Sequence, residues 1–177
     1  MHSHPSLLFP SLLGAAYGGL PEPIARLHRR GTSSYAGEVV VERGRGWLSR
    51  SCAAAARLPP AFAGPIRVDI EVDGARECWS LRVAGHVMRS RLWGRGGLLY
   101  ERLGLLTFAF RLSVADERLV WNVARVRVLG LPLPARWFGA VSAVESVVEG
   151  QYRFDVRAAL PLIGLLVHYR GWLAVEG

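Results

Sequence analysis

Apolar and polar positions follow two different periods along this chain, and the change falls near residue 60. Before it the spacing is helical. Leu7, Leu8, Leu12 and Leu13 share one face of a segment over residues 6–17, which Gly18-Gly19 ends. Pro23 suits the first turn of a second short helix through Arg30, with Ile24 and Leu27 on one side. Val39, Val40 and Val41 favour a strand over residues 34–43. The Ala53–Ala56 run predicts a helix over residues 46–58, stopped by Pro59-Pro60.

From Pro65 onward the period is two. Ile66, Val68, Ile70 and Val72 alternate with Arg67, Asp69 and Glu71, and Asp73-Gly74 signals a hairpin. Trp79, Leu81 and Val83 form the returning strand. Further strands are predicted over residues 85–93, 98–102, 106–114, 119–129, 141–148, 152–160 and 165–175. That makes about nine or ten strands joined by short turns, so sequential neighbours are antiparallel. The expected class is mostly β (α+β). It is a strongly curved antiparallel meander, barrel-like or half-barrel, with short N-terminal helices. Residues 1–177 are expected to form one domain, with a helical segment over 1–31 and a β meander over 32–177.

Charge changes this picture little. The net charge is +8, and all 22 basic residues are arginine. The absence of lysine fits a GC-rich bacterial genome, and the functional reading beside it is an anion-binding surface, since arginine grips phosphate and carboxylate bidentately. The arginines are spread through the sequence among 14 acids, which argues against a nucleic-acid partner. Cys52 and Cys78 lack metal or disulfide spacing, and a reduced cytoplasmic setting follows. No signal peptide is read at the start. The most apolar late stretch, residues 158–167, is half the length of a transmembrane helix, so no such segment is expected.

Three stretches carry a resemblance: residues 98–112 (LLYERLGLLTFAFRL), 127–138 (RVLGLPLPARWF) and 152–173 (YRFDVRAALPLIGLLVHYRGWL). Leu12-Leu13-Gly14, Leu20-Pro21 and Val41-Glu42-Arg43-Gly44 extend the pattern. The chain resembles the bacterial domain-of-unknown-function family 4166. That resemblance implies a self-contained domain, found alone or fused to reductase modules similar to saccharopine dehydrogenase. It implies no established activity. Gly94-Arg95-Gly96-Gly97 lies between strands and reads as a turn, not a nucleotide fingerprint.

No nucleophile elbow occurs, and Cys52 and Cys78 read as structural, although a pairing of Cys78 with His86 is open. His2 and His4 fall in a tail, and His28, His86 and His168 stand alone, so neither metal nor cofactor is implied. The last strand is more informative. Leu166, His168, Arg170 and Trp172 share one parity, and Leu165, Val167, Tyr169 and Leu173 the other. If the first face points inward, Trp172 and Trp121 wall a pocket. Arg170, Arg125 and His168 then bind an anionic or polar head, and Glu145 balances them. If it points outward, arginine stems lie over tryptophan rings on the surface. A slip of one residue inverts the outcome.

The expected function is a non-catalytic β-barrel module for a hydrophobic or anionic small-molecule ligand, lipid-like in character. The alternative is an enzyme, or an accessory domain of a reductase-type small-molecule pathway, with His168, Arg170 and Glu145 in one pocket. A third reading has Leu7, Leu8, Phe9, Leu12 and Leu13 as an exposed membrane-surface helix. An unpaired final strand would also allow a homodimer.

Overall fold

Ten antiparallel strands close into a barrel in the computed structural model, which describes residues 7–175. His2, His4 and Ser6 lie outside the described residues. The barrel strands are β1 (Ser33–Arg43), β2 (Phe62–Asp73), β3 (Arg76–Val83), β4 (His86–Arg95), β5 (Leu98–Leu103), β6 (Leu106–Ala115), β7 (Arg118–Val128), β9 (Ala140–Val148), β10 (Gln151–Leu160) and β11 (Gly164–Leu173). A short β8 (Leu131–Leu133) pairs only with the end of β7. The β1–β11 and β6–β7 pairings complete the ring. Both edges of β11 are thus used, by β1 and β10, and the unpaired final strand expected for a dimer is absent.

Tight turns set this topology. Ala84-Gly85, Gly96-Gly97, Asp116-Glu117, Leu129-Gly130 and Glu149-Gly150 all join strands with two residues of positive φ. That is the turn geometry that matches strand twist. Alternation then assigns the inner wall. Val39, Val41, Ile66, Val68, Ile70, Leu92, Leu99 and Leu119 are buried inside, while the intervening residues face out.

The hairpins β2–β3, β4–β5, β6–β7 and β9–β10 define one end, where two helices form a plug. Helix α1 (Leu8–Leu13) leads through a 3₁₀ turn over Gly14–Gly19 into α2 (Glu22–Arg29). Leu8 and Phe9 are buried and Leu12 packs on the core, so the membrane-surface reading of this segment does not hold. Helix α2 buries Ile24, Ala25, Leu27 and His28, leaving Glu22 to pair with Arg26 and Arg29 outside. The opposite end is crossed by α3 (Trp47–Ala55). Arg57, at φ 53°, ends that helix, with Leu58 N–H donating to Ala53 O over 2.9 Å.

Sheet pairing is incomplete at one place. β7 pairs with β9 only over residues 119–122, and its lower half pairs with β8 instead. β7 and β9 therefore splay towards the α3 end. Phe138, from a 3₁₀ turn over Ala135–Phe138, fills part of the gap against Phe108, ring centroids 6.0 Å apart.

Candidate functional site

Many inward residues are not fully buried. Trp79, Leu81, Glu101, Phe154, Val156 and Tyr169 all point into the barrel yet are half-buried. The surface they keep belongs to a partly open cavity of about 340 Å³ between the helical plug and α3. Its wall is almost wholly apolar, with Met88, Leu103, Phe108, Phe110 and Val156 prominent. The cavity persists because several inward positions on β9–β11 are small. Ala143, Val156, Ala158 and Gly171 stand where larger residues would fill the centre. At Gly171 a Cβ would overlap the Glu38 carbonyl oxygen and crowd the Phe154 ring, so no larger side chain fits.

A polar cluster closes the cavity under the plug. His28 Nε2–H donates to Glu145 Oε2 at 2.7 Å, and Trp121 Nε1–H donates to Glu145 Oε1 at 3.0 Å. His28 lies against Phe9 in a tilted arrangement, with ring centroids 3.7 Å apart, and its Nδ1 has no hydrogen-bond partner among the described residues. Trp79 Nε1–H donates to Glu77 Oε2 at 2.8 Å. Burial raises the Glu77 carboxyl above its ordinary value, opposed by that indole bond. Burial, then the neighbouring Glu145, pushes the Tyr152 hydroxyl well up.

Halfway down the wall Glu101 faces the cavity beside Ser90 and Tyr169. Burial pushes its carboxyl up to about 7, opposed by a hydrogen bond with Ser90. The native state therefore binds this proton more tightly than the unfolded chain. Stability falls as pH rises from about 4.5 to about 7 and the full penalty remains above. Glu101→Gln is expected to gain up to about 3 kcal/mol at pH 8 and nothing at pH 4, flattening that dependence. Urea titrations at the two pH values check this.

Of the six residues proposed from sequence, the structure brings together two. Trp121 and Glu145 face inward and are hydrogen-bonded. His168, Arg170 and Trp172 lie on the outer face of β11, because Val167, Tyr169 and Leu173 take the inner one. His168 Nε2–H donates to Asp155 at 3.0 Å, and Arg170 to Glu42 at 3.1 Å. The pocket of His168, Arg170 and Glu145 is thus not assembled. Arg125 also faces out. A register shift beside Ala109 and Phe110 changes the parity of β7, so Trp121 and Val126 point in while Arg125 does not.

Three residues of this interior escaped the sequence reading. His28 shares the buried helical face of Ile24 and Leu27, and Glu77 and Glu101 share strand parity with Trp79 and with Leu99 and Leu103. Those periodicities were the available signal. Cys78 lies outward on β3, and His86 Nε2 bonds Arg57 O at 2.9 Å, so the Cys78–His86 pairing does not form. Among the described residues no cluster of three metal-ligating side chains occurs, and no helix is long and apolar enough to cross a membrane.

The outer wall is electrostatically uneven. Over β3–β7 it carries Arg76, Arg89, Arg91, Arg95, Arg102, Arg111, Arg125 and Arg127, all exposed and none in an ion pair among the described residues. No acid faces outward from those strands, since Glu77 and Glu101 point in. Trp93 and Tyr100 stack in its middle, 5.5 Å between ring centroids. Among the described residues, the outward-facing acids lie on β1, β2 and β10, in the hairpins at the plug end and, as Glu22, on α2.

No curated protein matches the chain. The model of the domain of unknown function DUF4166 matches residues 20–173, which run from just before α2 to the end of β11. A chain whose whole barrel is covered by that match belongs to the DUF4166 family.

Proposed function

We propose that this barrel is a carrier or receptor for an apolar small molecule with one polar group. The observation that carries the reading is the 340 Å³ cavity itself. An apolar void of about 150 Å³ already stays dry and takes up a benzene-sized guest. Left unfilled, an apolar cavity leaves its lining without packing partners on one side. A guest restores those contacts. The volume also falls in the range of roughly 300–1,000 Å³ typical of small-molecule sites.

The chemistry of the wall supports one orientation. The aliphatic and aromatic positions take the hydrocarbon body. Glu101, with Ser90, offers both donor and acceptor to a hydroxyl, carbonyl or amine near neutral pH. No catalytic constellation is needed for this function.

Val156→Trp is the direct test, because Val156 is inward, half-buried and opposite Ala143 and Tyr169. A fluorescent fatty-chain probe titrated into the wild-type protein is expected to bind, and the variant to bind at least roughly tenfold more weakly. Equal binding by both would remove the cavity from the account.

A further inference from the structure

We infer that the α3 end of the barrel docks on an anionic lipid bilayer, with the β3–β7 arginine wall against the headgroups. Two independent features meet at that end. The first is apolar. Leu105, Leu129, Leu131, Trp137 and Trp47 are large, exposed and carried on the α3-end connections or on α3 itself. Trp47 is 74%, Leu129 72% and Leu131 69% exposed, so they do not serve the core. Leucine and tryptophan on adjoining loops are the residues that enter the headgroup and acyl boundary.

The second feature is charge. The segments that make this end, residues 43–62, 83–87, 103–107, 126–141 and 158–167, contain no Asp or Glu. They contain Arg45, Arg50, Arg57, Arg127 and Arg136, all exposed. The arginine wall runs into them through Arg102 and Arg127. A surface of one sign, rimmed by exposed leucines, complements an anionic bilayer. A nucleic acid would use the arginines but leave the leucines in water. A second copy would meet its own like charge.

Docking in this pose also places the cavity against lipid. Leu105, Leu133 and Cys52 belong both to the α3 end and to the cavity lining. The inference does not depend on the cavity holding a guest, and Val156→Trp should leave docking unchanged.

The test is flotation of the full chain with vesicles of phosphatidylcholine alone and of phosphatidylcholine with phosphatidylglycerol. Binding is expected to the second only, and to fall as salt rises. The double change Leu129→Asp, Leu131→Asp and the double change Arg91→Glu, Arg127→Glu should each lower it at least roughly tenfold. These residues are exposed, so an unaltered melting profile serves as the control. Four results would overturn the inference: no flotation with phosphatidylglycerol, equal flotation without it, indifference to the leucine changes, or a concentration-dependent dimer that the leucine changes abolish.

Discussion

Glu145→Ala is expected to lower the unfolding free energy by about 3–5 kcal/mol, a drop of roughly 10 °C in the thermal midpoint. Glu145 is 4% exposed and accepts from two buried donors, His28 Nε2–H and Trp121 Nε1–H. Deleting it strands both where water is excluded, and the deficit is the desolvation of each group. Glu145→Gln keeps one carbonyl acceptor and should lose about half as much. Changing His28→Phe together with Glu145→Leu should recover much of the loss, since an apolar pair of similar volume leaves no buried ion behind. Urea unfolding of the four proteins measures this. A loss below about 1 kcal/mol for Glu145→Ala would mean that the cluster is dispensable.

Phe9→Ala carries the second large effect. Phe9 is fully buried, lies against His28 and stands 5.5 Å from Trp121 by ring centroids. Truncation removes the centre of the tilted aromatic cluster that seals the plug end. A loss of about 3–5 kcal/mol is expected, against about 1 kcal/mol for Phe9→Leu. The DUF4166 match begins after α1, so this variant asks whether α1 is an integral part of the barrel. A neutral Phe9→Ala in thermal denaturation would make the segment an accessory.

The barrel was legible because its signals are local. Ile66 to Val72, Leu106 to Val114 and Tyr152 to Ala158 alternate cleanly, and glycine-containing turns join most strands. Closure and inside-versus-outside assignment on the last strand are not local. Leu165 to Leu173 has an acceptable face on either side, and its register is fixed by β1 and β10 together. Arg125 failed for a related reason, since a bulge set by the β6 partner reverses parity within one uninterrupted run. β8 went unread because Pro132 lies within it and Pro134 follows it, and proline marks breaks more reliably than short edge strands.

Half of the site was legible for similar reasons. Trp121 and Glu145 sat among apolar neighbours of one parity. His28 comes from a helix 117 residues away from its partner, a separation that no local pattern spans. The segregation of arginine onto β3–β7 was hidden as well. Of the acids interleaved with those arginines in sequence, Glu77 and Glu101 point into the barrel and Asp116 and Glu117 fall in the β6–β7 hairpin, a separation that only the closed sheet reveals.

The central claim is that the barrel interior holds a guest. Native mass spectrometry of gently purified protein, followed by denaturation and analysis of what is released, tests it most directly. The account predicts a stoichiometric apolar adduct that disappears on denaturation and is missing from Val156→Trp. An adduct retained equally by Val156→Trp, or a protein that stays at its bare mass after incubation with a series of fatty alcohols and amines, would contradict it.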